Sequence, residues 1–473
     1  VRPDQVLGLT FTTKAASQLR AKVREALLAA GLLPEPGADT DDTIEPTVAT
    51  YNAYAAGLLT DHGLRIGHEP DTRVLSDASR YQLGARVVER HTAEVRFLTD
   101  HPPTAIQNLL ALDGAMSEHL VTPDQLREFQ AAQRPAFEES AAAEHRKTYR
   151  EKIEQVLHTF GRREELLGLV ESYRRLKREL GLMDFSDQIE LGARLASECP
   201  EVGELERGKY RVVLLDEYQD TSVAQALMLS RLFSGPDPAH GRGHAVSAVG
   251  DPNQAIYGWR GASVSNILRF GEDFPTHEGA HEVATYPLTV NRRSDARILE
   301  AANDLAAPLY AAFHGVRELE AKPCADPGRV RVAVHETYVD ELGWLPGEVT
   351  AAHAAMAQPS WREIGVLTRD NAHAADVFDA LTDHEIPVEI VGLQGLLRLP
   401  EVAEVVATLT LLHDLTANAA LLTLLTGPRW AIGPRDLALL GAQARSLAGP
   451  TGRARRDGSL SISDELEHAG AGA

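Results

Sequence analysis

Apolar residues fall along this chain in two periods. Residues 5–30, QVLGLTFTTKAASQLRAKVREALLAA, predict a short buried strand, a polar turn and an amphipathic helix. Leu19, Val23, Ala26 and Leu27 keep helical spacing, and Thr12 or Thr13 is placed to cap. An acidic Pro/Gly-rich loop is expected over residues 34–46. From about Asp77 to Leu182 the pattern turns helical, with Ile153, Val156, Leu157, Phe160, Leu166, Leu167, Val170, Tyr173, Leu176 and Leu180 on one stripe. The unbroken run Val212–Leu215 predicts a strand buried on both faces, as in a parallel sheet. Ala245–Ala262, AVSAVGDPNQAIYGWRGA, repeats the design, its strand ending in Gly250-Asp251. Residues 329–335 and 362–369 read as strands of a second α/β domain, and LRLPEVAEVVATLTLLHDL as a helix.

Composition narrows the class. The 473 residues are long enough for about three domains, and 44% hydrophobic with 24% charged describes a soluble globular protein. No apolar run approaches the roughly 18 residues that crossing a bilayer requires. Cys199 and Cys324 lie far apart in no metal or redox spacing, so a reducing, cytoplasmic setting is expected. The net charge of −21 excludes a broad basic surface. Contacts to phosphates would have to come from local clusters, such as Glu144–Leu180 with ten Lys/Arg against seven Asp/Glu.

The candidate chemistry gathers at strand ends. Asp216 and Glu217 close the run Val212–Leu215, where open α/β sheets bind ligands. One carboxylate suits Mg²⁺ through its hard oxygens, and the other can orient or deprotonate a water attacking a γ-phosphoryl group. Polar Gln254 and the cluster Tyr257, Trp259 and Arg260 follow the next strand. In a chain with 5% aromatics, that cluster suits stacking on unpaired bases. The string HEGAH at 277–281 fits HExxH but does not qualify as a zinc site. That signature works on a helix, whereas Pro275 and Gly279 bracket a loop and no third ligand is evident.

DEYQDT followed by VGDPNQAIYGWRGA resembles motifs II and III of the superfamily 1A helicases, the UvrD/Rep/PcrA group. The resemblance implies an α/β fold of P-loop NTPase (RecA-like) parallel-sheet domains with helical insertions. It also implies an ATP- and Mg²⁺-dependent helicase acting on single-stranded and duplex DNA, with no membrane association. Asp216 would then hold the metal through water, Glu217 act as base and Gln254 sense the γ-phosphate, with Tyr257, Trp259 and Arg260 on the DNA. TFTTKAA resembles motif Ia, which puts Phe11 and Thr12 on the single strand. VATYNA occupies the place of motif Ib and adds Thr50 and Asn52, with Asn52 where the family has histidine. PLTVNRRS resembles motif IV: Arg293 falls on the arginine that reaches the γ-phosphate, and Arg292 replaces the tyrosine that stacks on adenine. Gly427–Gly433 resembles a turn that touches duplex DNA.

The resemblance implies five segments: domain 1A over 1–76, a helical insertion 1B over 77–183, the rest of 1A over 184–285, domain 2A over 286–398 and part of helical domain 2B over 399–473. No GxxxxGK[ST] string occurs, and motifs V and VI are absent, as expected of a piece of a longer chain. MDFSDQIELGARLA and VNRRSDARIL are similar to an actinobacterial helicase-nuclease subunit of the AdnB type, which implies a second such subunit as partner. Two readings follow. One is part of an ATP-driven, 3′→5′ single-strand DNA translocase and helicase in repair or recombination, inactive as this chain alone. The other is a non-motor DNA-binding or scaffolding subunit that has lost the phosphate-binding loop.

Overall fold

The computed structural model describes residues 1–31, 45–277, 283–312, 316–390 and 400–448. The expected loop at 34–46, all of HEGAH after His277, and the C-terminal residues lie mostly or wholly outside these. Two compact units divide the chain at Val330/Arg331.

The first unit is built on four parallel strands in the order β2-β1-β5-β6: β1 (Val6–Thr10), β2 (Thr47–Thr50), β5 (Val212–Leu215) and β6 (Ala245–Ala248). Strand alternation sends Leu7, Leu9, Val213 and Leu215 to one face, where they are fully buried. Helices α2 (Tyr51–His62), α7 (Phe185–Glu198), α8 (Pro200–Lys209) and α9 (Val223–Phe233) supply the rest of that core, including Tyr51, Leu59, Ile189, Val202, Met228 and Leu229. The helix after β1, α1 (Thr13–Ala29), starts because the Thr12 hydroxyl accepts from Ala15 N at 3.1 Å. It lies beside β2, where the Arg20 guanidinium donates to Val48 O.

The opposite sheet face departs from expectation. Leu214 is 45% exposed and Ser247 is exposed, so β5 is not buried on both faces. An unbroken apolar run records only that both faces of a strand are apolar. Here α1 covers the face at β1 and β2, and no described helix lies over Leu214.

Between β2 and β5 the chain leaves the sheet. Strands β3 (Arg73–Val74) and β4 (Leu182–Met183) pair in parallel at the base of a helical excursion. It comprises α3 (Asp77–Glu89), α4 (Pro102–His119), α5 (Pro123–Ala143) and the 33-residue α6 (Lys147–Glu179). Much of the expected apolar stripe is the inner face of α6: Leu167, Val170 and Tyr173 are fully buried against Leu83, Leu109 and Met116, whereas Leu180, just past the helix, is exposed. At the start of this segment three basic residues pair locally, in Arg146–Glu144, Lys147–Glu151 and Arg150–Glu154, while Arg174 and Lys177 pair with acids of neighbouring helices.

A buried ion cluster joins α4, α6 and α7. Lys177 Nζ lies 3.0 Å from Asp113, 3.2 Å from Asp184 and 2.7 Å from Asp187. Arg174 and Arg80 complete it, on Asp113 and Asp184 respectively. Burial, with Asp184 and Asp113 alongside, outweighs Lys177 and pushes Asp187 up to about 6. Asp184, although burial works against it, is held below the usual carboxylate range by Lys177 and Arg80. Three acids within reach of one another resemble a metal site, but the ammonium already occupies the centre.

β7 (Val290–Asn291) pairs with β8 (Glu320–Ala321), and the helix Ala296–Ala312 runs between them. In the second unit, helices Tyr338–Ala354 and Asn371–Thr382 enclose a small core of Val349, Leu381 and Ile386, with Trp361 and Ile364 against it. The strands expected at 329–335 and 362–369 do not form among the described residues. Trp361–Glu363 is a 3₁₀ turn, and Val332, Val334 and Leu367 are 86%, 91% and 98% exposed. A strand exists only as a ladder with a neighbour, and none is hydrogen-bonded to either segment. The predicted helix near 400 is Pro400–His413. The Gly427–Gly433 turn links helices Asn418–Thr426 and Pro434–Ala448.

Candidate active site and nucleic-acid interface

The carboxyl ends of β1, β5 and β6 lie side by side because the strands are parallel and in register, with Leu9 opposite Leu215 and Leu215 opposite Ala248. Asp216 is held there from three sides. Its N–H donates to Leu9 O at 2.8 Å, its Oδ2 accepts from the Thr10 hydroxyl at 3.0 Å, and its carbonyl accepts from Tyr51 Oη at 2.7 Å. Burial, with Tyr218 and Asp216 nearby, raises the Tyr51 hydroxyl well above its ordinary range, so it stays a donor. Asp216 Oδ1 has no hydrogen-bond partner among the described residues.

Glu217 is exposed and sits at φ 52°, a left-handed conformation unusual for a residue with a side chain. The bend turns its carboxylate out of the strand line. Gln219, fully buried, then ties it down: Nε2 donates to Glu217 Oε2 at 2.8 Å, and Oε1 accepts from Asp251 N at 3.1 Å. Gly250 makes that second bond possible, because a Cβ there would stand 2.3 Å from Gln219 Oε1. Asp251 in turn accepts from Gln254 Nε2 at 2.9 Å. A single buried amide therefore connects the Glu217 carboxylate to the loop that carries Gln254.

The same loop continues into the aromatic cluster. Pro252–Gln254 and Gly258–Arg260 are single 3₁₀ turns. The end of the loop is pinned by the Asn266 amide, which donates to Thr221 O and Ser222 O. Trp259 is 74% exposed. Tyr257 stacks at a tilt on Phe11 with ring centroids 4.8 Å apart, and Arg260 Cζ lies 4.6 Å from the Trp259 ring. Sequence-distant Phe11 and Tyr257 thus share one shelf.

Beneath the shelf a cleft of about 400 Å³ opens between the start of α1, the start of α2 and the end of α4. Thr12 and Thr50 line it, each also capping its helix through its hydroxyl. Asn52 lines it too, its Oδ1 accepting from Gln225 Nε2 at 3.0 Å. Arg292 and Arg293 are not brought into this constellation. They follow β7, are exposed, and form no ion pair among the described residues.

Several residues at the site went unrecognised in the sequence, and four show why. Thr10 and Gln219 lie inside the motifs, but nothing in their spacing tells which partners they bind. Exposed Phe185, at the start of α7, and Glu118, near the end of α4, line the cleft from segments with no strand-end signal.

Residues 1–275 match the model of the UvrD/REP helicase N-terminal domain, and residues 286–448 that of the UvrD-like helicase C-terminal domain. The chain belongs to the UvrD/Rep helicase family. It is similar to the ATP-dependent DNA helicase PcrA of Leuconostoc citreum, at 26% identity over 94% of this chain and 51% of that protein. It is also similar to the ATP-dependent DNA helicase Rep of Salmonella typhimurium, at 26% identity over 93% of this chain and 56% of that protein. Against the ATP-dependent DNA helicase UvrD1 of Mycobacterium tuberculosis it is 30% identical over 58% of this chain and 34% of that protein. The chain spans about half the length of the first two. With UvrD/Rep membership and a parallel sheet bearing a helical excursion, the fold is α/β of the P-loop NTPase type.

Proposed function

We propose that this chain forms part of an ATP-driven DNA translocase and helicase, moving 3′→5′ on single strands in repair or recombination. The observation that carries the reading is the continuous path from Glu217 through Gln219 and Asp251 to the loop bearing Gln254, Tyr257, Trp259 and Arg260. Coupling nucleotide chemistry to a track requires such a physical link between the two places.

The residues fit the roles asked of them. Glu217, bent into the open and held by an amide, orients or deprotonates a water. Asp216 offers a free oxygen beside the Thr10 hydroxyl, a hard donor set that suits Mg²⁺ through water. When bound, Mg²⁺ would neutralise charge on phosphate oxygens. Gln254 would report the terminal phosphate, and Arg292 and Arg293 would add guanidinium donors to the nucleotide site. Phe11, Tyr257, Trp259 and Arg260 offer stacking surfaces, while Thr12, Thr50 and Asn52 offer polar contacts to the backbone. Such local contacts reconcile DNA binding with a net charge of −21.

The test is binding of a labelled single-stranded oligodeoxynucleotide to the 473-residue chain by fluorescence anisotropy, with Trp259→Ala as control. Binding that weakens in the variant supports the reading. Absence of binding, or a variant that binds equally well, overturns it.

A further inference from the structure

The last turn of α4 presents two faces to two different parts of the molecule. Asp113 and Ser117, four residues apart and buried, face α6: Asp113 accepts from Lys177 Nζ at 3.0 Å, and the Ser117 hydroxyl accepts from Arg174 Nη2 at 2.9 Å. Gly114 and Glu118 lie about 100° further round the helix. At Gly114 the helix passes the start of α7, where Ser186 Oγ stands 3.7 Å from the place a Cβ would take. At Glu118 it meets Gly261, which closes the turn Gly258–Arg260 at φ 81°. A Cβ on Gly261 would stand 2.5 Å from Glu118 Cβ and 3.0 Å from its Cγ, so the stem of Glu118 lies against the bare backbone of that glycine. The carboxylate faces the hydroxyls of Ser186 and of Ser222, the cap of α9, and burial pushes it above the ordinary range. One side chain of the helical excursion thus abuts α7, α9 and the aromatic turn together.

Trp259 depends on such a backing. Its ring is 74% exposed, so its position is set by the backbone that carries it, and a lone 3₁₀ turn is a weak frame. On one side the end of the loop is held by the bridge between Ser222 and Ala262 and by Ser263 N, which donates to Thr221 O at 3.0 Å. On the other side the wall is Glu118. We propose that Glu118 is a positioning residue for the strand shelf: it holds the aromatic turn in its binding geometry and ties that geometry, through α4, to the helical excursion. It acts through Gly261 and makes no contact with the strand itself. Charge alone predicts the opposite behaviour, since a carboxylate beside DNA repels phosphates and its removal should tighten binding. This inference rests on the single-strand binding proposed above.

Anisotropy titrations of the 473-residue chain with a labelled oligodeoxythymidylate separate the two. They are run at pH 7.5 and at one salt concentration, low enough for Trp259→Ala to bind measurably. Glu118→Ala, which removes stem and acceptor, should bind about five- to twentyfold more weakly, within the worth of one stacked base. Glu118→Gln keeps the stem and an acceptor for the hydroxyls, and should stay within about twofold of wild type although the charge is gone. Glu118→Asp keeps the charge but withdraws the carboxylate by one methylene, and should lose part of the same affinity. On a Trp259→Ala background Glu118→Ala should cost nothing further, because both act through one turn. Tighter binding by Glu118→Ala and Glu118→Gln alike marks Glu118 as a repeller of phosphate and overturns the inference. So does unchanged binding in all three variants, or a Glu118→Ala loss that persists in full without Trp259. Each of these leaves the single-strand reading standing, whereas a wild-type chain that does not bind overturns both. If Glu118→Ala misfolds, the contrast between the other two variants decides: Glu118→Asp binding as tightly as Glu118→Gln, or more tightly, overturns the inference.

Discussion

Replacing Lys177 by methionine removes the one ammonium shared by three carboxylates while keeping the length and apolar stem of the side chain. The side chain is 4% exposed, so water cannot take over its role. Asp113 would keep Arg174 and Asp184 would keep Arg80 at 3.4 Å. Asp187 would lose both of its bonds to Nζ, at 2.8 and 2.7 Å, and retain only the backbone N–H of Asp184. Breaking a buried pair by deleting one partner costs about 3–5 kcal/mol. Two of the three acids keep a guanidinium, which points to the lower end, about 3 kcal/mol at pH 7.5.

The cost should depend on pH. Lys177 is raised above the ordinary lysine value, so what it contributes is fully present below about 10.4 and constant between pH 5 and 7.5. Asp187 already titrates at about 6 with the lysine in place, and higher without it. A carboxyl whose folded value is raised contributes stability that is complete below about 3.9 and is lost as the pH climbs through the folded value. The penalty in Lys177→Met should therefore be smaller at pH 5 than at pH 7.5. Two units need not unfold together, so the assay must be local. Hydrogen–deuterium exchange of peptides from α4, α6 and α7, corrected for intrinsic rates, reads the opening free energy directly. A loss below about 1 kcal/mol at pH 7.5, or one equal at both pH values, would refute the reasoning.

Other outcomes test the proposed motor. The 473-residue chain alone should show no DNA-stimulated ATP hydrolysis, because it contains no GxxxxGK[ST] string; robust turnover in a phosphate-release assay would contradict this. In a preparation that hydrolyses ATP, Glu217→Gln should lower hydrolysis by about 10²–10⁴ while Mg-ATP and DNA binding persist, measured by steady-state kinetics beside equilibrium binding. Trp259→Ala should weaken single-strand binding by about 1–3 kcal/mol and remove most stimulation by DNA, whereas Gln254→Ala should remove stimulation with little change in DNA affinity. The double variant should lose little more stimulation than either single one, since both break the same path; strictly additive losses would show that the loop does not couple the sites.

What the sequence made legible was what local chemistry controls. The strand, turn and helix over residues 5–30 were readable because alternation, a capping threonine and helical spacing all act within a few residues of one another. The stripe on α6 was readable for the same reason, and so were the strand ends at Asp216 and Asp251. What escaped depended on partners distant in the chain. An apolar Leu214 could not announce that α1 covers its side of the sheet only at β1 and β2, with no described helix over β5. Val332 and Val334 alternate as a strand should, yet alternation cannot supply the neighbour a ladder needs. Glu118 reaches the cleft from a helix whose own pattern speaks only of its packing. Gln219 is conspicuous only once Asp251 is seen to lie beside it.

β6 has β5 on one side and, among the described residues, no strand on the other. Its outer backbone groups belong to AVSAV, a run with no charge and no proline, and Val249 at its end is more than half exposed. A bare edge of that composition is a template on which any extended segment, including a second β6, can be laid down. Handling the isolated polypeptide is therefore a problem of colloidal behaviour before it is one of enzymology. Self-association should rise with concentration and be relieved by a lysine in place of Ser247, whose side chain already faces solvent and whose exchange leaves the buried face untouched.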